Sequence, residues 1–138
     1  MKRLVCHTLA CTMFALTLSV ISGCSSGPAT GTVEGTVTLD GEPYEKGIVN
    51  LIDLQTGQAG NAEISTGGKF SISEPIQVGT YSVFVTPVAP PMPTDGSPPP
   101  PVVVDQSIPD KYRNESMTDI KVEVKEGSNT VAVEMKSE

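Results

Sequence analysis

Thr32-Val33-Glu34-Gly35-Thr36-Val37-Thr38-Leu39-Asp40-Gly41 is the stretch that decides the fold class. Val33, Val37 and Leu39 share one parity, and Glu34, Thr36 and Thr38 share the other. That is the period of a strand with one buried and one solvated face. Asp40-Gly41 then supplies a residue pair that readily takes the left-handed backbone of a tight hairpin turn. Nothing here repeats at helical spacing.

The pattern continues along the chain. Ile48 to Leu54 is a second run, apolar throughout, so either parity fits the inward face, and Thr56-Gly57 closes it. A weaker strand is expected over Ala59 to Ile64, before the turn Thr66-Gly67-Gly68. Phe70 and Ile72 point inward from Lys69 to Ser73. Tyr81, Val83 and Val85 do so from a strand opened by Gly79-Thr80, which leaves Phe84 on the wrong parity for the core, at an edge or exposed. Near the end, Ile120, Val122 and Val124 alternate with Lys121, Glu123 and Lys125. Glu126-Gly127-Ser128 reads as a turn, and Val131, Val133 and Met135 alternate on the return. The two runs predict a hairpin with one apolar and one charged face. Seven such strands predict an all-β domain, an immunoglobulin-like two-sheet sandwich.

Between Ala89 and Pro101 the pattern stops. Seven of these thirteen residues are proline: Pro90, Pro91, Pro93, Pro98, Pro99, Pro100 and Pro101. Proline has no N–H for a ladder, so residues 89–101 are expected to leave the sandwich as an exposed extended or polyproline II loop. Asp95-Gly96-Ser97 has the composition of its tip. Such a loop serves as a stiff contact arm or as a tolerated spacer.

The first 23 residues have a different character. Met1-Lys2-Arg3 is a positive start, Leu4 to Ile21 is mostly apolar, and Ser22 and Gly23 are small. This is the order of a secretory signal. Ile21-Ser22-Gly23-Cys24 resembles the bacterial lipobox, a branched aliphatic and two small residues before a cysteine. The resemblance implies that the signal peptide 1–23 is recognised through Ile21, Ser22 and Gly23 and cleaved, and that Cys24 carries a diacylglycerol and an amine-linked fatty acid such as palmitate. Two or more acyl chains give stable anchoring, where one gives only reversible binding. Plain secretion and a retained transmembrane helix are the alternatives. Residues 24–31 then form the lipidated cysteine and a flexible tether. Ser25 in place of Asp resembles lipoproteins released to an outer membrane.

All 16 acidic residues follow Cys24, whereas Lys2 and Arg3 precede it, so loss of the leader makes the chain more acidic than its formal −7. Basic residues are scattered. The electrostatic footprint of a nucleic-acid binder is missing, and no nucleic-acid partner is expected. The three cysteines are Cys6, Cys11 and Cys24, which leaves one after cleavage and no internal disulfide.

Gly35 to Pro43, the strand at Ile48 to Leu54, Gly68-Lys69-Phe70 and Gly79-Thr80-Tyr81-Ser82-Val83-Phe84-Val85 together resemble the carboxypeptidase regulatory-like domain family. The likeness extends through Ile108-Pro109-Asp110-Lys111-Tyr112 and the closing strands, as in small bacterial lipoproteins that carry one such domain. It covers roughly residues 32–136. It implies a seven-stranded transthyretin-like sandwich acting as an accessory module that rigidifies, spaces or helps to bind.

The inventory for catalysis is thin. The only histidine, His7, lies in the leader, so residues 24–138 offer no imidazole base, no histidine-dependent triad and no histidine metal site. Asp40, Glu42 and Glu45 cluster around the first turn, yet they lack a complete cation-binding loop and read as solvated turn residues. The mature aromatics, Tyr44, Phe70, Tyr81, Phe84 and Tyr112, offer no paired stacking platform for sugars. Asn114-Glu115-Ser116 matches a glycosylation sequon that in a bacterium reads as coincidence.

The expectation is therefore a non-enzymatic, lipid-anchored structural or binding module of the bacterial cell envelope, with the outer membrane favoured. It is held to the membrane by its N-terminal lipid and needs no metal or cofactor. Its partner is an envelope protein or polysaccharide. The alternatives are a polysaccharide- or peptide-binding domain and a carboxylate-only enzyme or enzyme subunit.

Overall fold

A computed structural model of the chain describes residues 27–137. Its strands are β1 (Thr30–Leu39), β2 (Glu42–Pro43), β3 (Ile48–Ile52), β4 (Ala59–Glu63), β5 (Lys69–Gln77), β6 (Gly79–Thr86), β7 (Lys121–Val124) and β8 (Gly127–Met135). A single 3₁₀ turn spans Asp110–Arg113. Each of the seven expected strands is present, and the two-residue β2 makes an eighth. β1 begins at Thr30, before the expected start, because Gly31 and Ile76 already pair there.

The strands form two sheets. In the first, β8 lies along one side of β1, while β5 and then β2 share the other side. The second has the order β4-β3-β6-β7. The sheets enclose one core. Val33, Val37, Phe70, Ile72, Val133 and Met135 come from the first sheet, and Val49, Leu51, Tyr81, Val83, Val85 and Val124 from the second. Burial of this apolar set is the main driving force for the two-layer packing. Phe84 sits half-buried on the outer face of β6, opposite Asn50.

Local chemistry explains most turns. Asp40 and Gly41 have φ of 53° and 87°, the pair of positive values that a two-residue hairpin needs between Leu39 and Glu42. Pro75 interrupts β5. The pairing with β1 slips there, so that Gly31 faces Ile76 but Val33 faces Ile72. A proline cannot fill a ladder position, and the bulge absorbs it.

The closing hairpin does not form. β7 pairs with β6 in one sheet, whereas β8 crosses to the other and runs parallel to β1, Gly31 beside Gly127 and Leu39 beside Met135. Alternating apolar residues suit an arch between sheets as well as a hairpin, so the pattern alone does not separate them. Asn129 decides the matter. Its side chain accepts from the Lys125 amide at 2.9 Å and donates to the Lys125 carbonyl at 2.7 Å, satisfying backbone groups that a hairpin ladder would have paired. The faces change with the topology. Val124, Val133 and Met135 are buried, but Ile120, Val122 and Val131 are only half-buried, since β7 and β8 are outer strands of their sheets.

Strand directions give the sandwich two unlike ends. At the Thr30 end lie the turns after β3, between β5 and β6, and between β7 and β8. At the Leu39 end lie the Asp40-Gly41 turn, the segment 44–47 and the base of the Pro-rich segment.

Candidate functional site

A cleft of about 550 Å³ opens at the Leu39 end. Three segments build it: Tyr44 to Gly47 between β2 and β3, Val85 and Thr86 at the end of β6, and the returning limb of the Pro-rich segment from Val103 to Ile108. Gly47 makes the approach possible. Its φ is 91°, and a β-carbon there would press on the Thr86 carbonyl at 2.6 Å.

Asp105 fastens the returning limb to the body. One carboxylate oxygen accepts from Lys46 Nζ at 3.2 Å and from the Tyr44 hydroxyl at 3.4 Å. The other accepts from the Ser107 amide at 3.0 Å and the Ser107 hydroxyl at 2.6 Å. The Ser107 donors, with Lys46 behind them, hold Asp105 down to about 2. Burial, then the Asp105 charge, pushes Tyr44 up to about 12. Neither group titrates near neutral pH, so the pair stays as carboxylate and phenol and acts as a clasp. Below it, Ile108 and Tyr112 are buried, and Arg113 donates to the Ile108 carbonyl at 2.7 Å while pairing with Asp110 at 2.9 Å. Thr118 completes the attachment with a buried bond from its hydroxyl to the Val83 carbonyl at 2.6 Å.

Above the clasp the segment is open. No strand or helix forms from Pro87 to Pro109. Pro91 and Pro98 to Pro101 are exposed, while Pro90 and Pro93 are half-buried. Asp95 and Ser97 repeat the Asp105–Ser107 geometry at the tip, amide at 3.0 Å and hydroxyl at 2.6 Å. Two such turns therefore bracket the run Pro98 to Pro101. Val103 is 83% exposed, and with Val88 and Val104 it gives the cleft an apolar rim.

The structure separates the acidic residues around the first turn. Asp40 is engaged by the amide and hydroxyl of Ser137. Glu45 instead accepts from the Gly67 amide at 2.6 Å. Among the described residues no three His, Cys, Asp or Glu side chains gather in a way that would hold a metal. Ile21, Ser22, Gly23 and Cys24 lie outside the described residues. From sequence Tyr44 enters only as one of the aromatics, and Lys46 and Asp105 do not stand out. The signal for the last was legible, since Asp-x-Ser occurs twice, at 95–97 and 105–107, and favours a side-chain-capped turn.

Fold and site together define an all-β, two-sheet module with a clasped loop at one end. Comparison of the chain with protein-family models, with curated proteins and with solved structures finds no match in any of the three.

Proposed function

We propose that this chain is a lipid-anchored, non-catalytic module of the bacterial cell envelope, a carboxypeptidase regulatory-like, transthyretin-like sandwich held by Cys24 and presenting its Pro-rich loop to a partner. The reading is carried by one observation: the first strand starts at Thr30, and the loop and cleft open at the other end of the sandwich. A tether of residues 25–29 reaches at most about 20 Å. It would hold the Thr30 end near the bilayer and turn the cleft outward. The lipobox-like Ile21-Ser22-Gly23-Cys24 and the order of turn and strand motifs support the same reading.

Peptide binding is the second reading. The apolar rim of Val88, Val103 and Val104 beside the Tyr44–Lys46–Asp105 clasp favours it, because extended peptides combine apolar side chains with backbone polar groups. Metabolic labelling with an alkynyl fatty acid tests the anchor. Wild type should incorporate the label and partition with membranes, and Cys24→Ala should do neither. Equal labelling of the two chains overturns the reading.

A further inference from the structure

Each sheet of a sandwich ends in strands whose outer backbone groups lack a partner, and proteins blunt such edges with prolines, bulges, charges or brevity. Three edges here are blunted. β5 carries Pro75 and a bulge. β7 has four residues, of which Lys121 and Glu123 are charged. β4 has five, with Gly60 inside and Glu63 at its end. β8 differs. It runs for nine residues without proline or lysine, and among the described residues it pairs with β1 alone.

Two hydrogen bonds fix which β8 groups are free. The Met135 carbonyl accepts from Asp40, on the β1 side, at 2.9 Å. The Lys136 amide points the other way and donates to the Tyr112 hydroxyl at 3.3 Å. Backbone groups alternate along a strand, so Ser128, Thr130, Ala132 and Glu134 direct their N–H and C=O away from β1. The Tyr112 hydroxyl closes this free edge just beyond Glu134. All four residues are exposed, and beside them Val131, Val122 and Ile120 are left half-buried on the same side of the sandwich.

We propose that β8 is a self-association edge, which pairs antiparallel with β8 of a second copy of this chain about a two-fold axis at Val131. The sequence is complementary to itself in that register. Thr130 falls opposite Ala132, and Ser128 opposite Glu134, so every free N–H and C=O from Ser128 to Glu134 gains a partner. Side chains at the centre are small, and no like charges meet. Just outside the ladder, Glu126 of one copy reaches the level of Lys136 of the other, an attractive pair made twice by symmetry. The axis brings the two Val131 side chains together and covers the apolar side left open in one copy. This inference does not depend on the lipid anchor, since it uses only residues of the sandwich itself.

Disulfide trapping in full-length chains tests both the contact and its register. Opposed residues of a hydrogen-bonded antiparallel pair have Cα atoms about 5.5 Å apart, within disulfide reach, whereas residues displaced along the strand exceed about 7 Å. Thr130→Cys and Ala132→Cys chains, each with its own tag, are co-expressed, and membranes and soluble fractions are oxidised mildly. A disulfide-linked mixed dimer should form in at least tenfold excess over the dimers of either variant expressed alone and over wild type. A mixed dimer no more abundant than these controls overturns the proposal. Ala132→Pro removes only an outward N–H and supplies a second readout. Wild type should sediment as a dimer in detergent and the proline variant as a monomer, and a monomeric wild type also overturns the proposal. If the proline variant does not fold, the trapping result still decides.

Discussion

The amide of Asp40 donates to the carbonyl of Met135 at 2.9 Å, which ties the end of the first strand to the end of the last. The two strands run side by side and parallel from Gly31 to Leu39. Contacts this distant in sequence cost loop-closure entropy, which the long β1–β8 ladder has to offset.

Gly35 makes that closure possible. A β-carbon there would fall onto the carbonyl oxygen of Val131, and neither backbone can give way without breaking the ladder. Gly35→Ala should therefore destabilise by about 1–3 kcal/mol, the range for forced overpacking. Thr36→Ala, on the solvated face beside it, should cost less than about 1 kcal/mol. Urea midpoints give the comparison, and equal losses would mean that the β1–β8 approach is looser than described.

The arch between β7 and β8 separates residues that a hairpin would treat alike. Val133 is 1% exposed, whereas Val122 is half-buried. Val133→Asp should cost about 3–5 kcal/mol, because it buries an unpaired charge. Val122→Asp should cost clearly less, since its carboxylate can turn to water. Lys121→Asp should stay within about 1 kcal/mol. Thermal melts that place Val122→Asp level with Val133→Asp contradict the half-open β7–β8 side.

Asp105 should leave a signature in acid. Its folded value lies near 2, below the ordinary 3.8, so the folded chain binds its proton more weakly than the unfolded chain. The clasp is then fully formed above about pH 4 and is lost as pH falls through about 2. Asp53 and Asp95 are also held low, by Gln55 and Thr56 and by Ser97, and they add to the acid loss in wild type and variant alike. Asp105→Asn should flatten the decline in urea midpoint between pH 4 and pH 2. Parallel declines in the two chains would remove Asp105 from the account.

The same clasp divides the Pro-rich segment into a free part and an anchored part. Among the described residues, the side-chain hydrogen bonds of 89–101 stay within their own tip, while Asp105 and Ile108 hold the limb that follows. Replacing Ala89 to Pro101 by a short Gly-Ser link changes closure entropy by only about 0.6 kcal/mol per twofold change in length. The melting temperature should move by less than about 4 °C. Extending the replacement through Ser107 removes the clasp and should lower it further. Equal melts for both replacements would show that the clasp adds nothing.

Sequence periodicity was sufficient for the strands because each inward face had to be apolar, as at Val33 and Val37, or Tyr81, Val83 and Val85. It was insufficient for the partner of β8. Pairing depends on backbone groups, and the deciding side chain, Asn129, looks in sequence like any turn residue. The clasp was hidden for a related reason. Tyr44 and Asp105 are 61 positions apart, and no local pattern links them. The Pro-rich loop was legible because proline acts on its own backbone, whatever the rest of the chain does.

The proposed anchor at Cys24 would set the Thr30 end of the sandwich at the membrane, with the loop and cleft at the far end. β1 alone spans ten residues, about 33 Å at the usual rise of a strand. Energy transfer to a headgroup acceptor in membranes carrying the lipidated chain measures this directly, with a donor placed either at Gln55→Cys near the Thr30 end or at Thr94→Cys in the loop. Transfer should be strong from position 55 and weak from position 94. Equal transfer from the two positions, or stronger transfer from 94, contradicts the account.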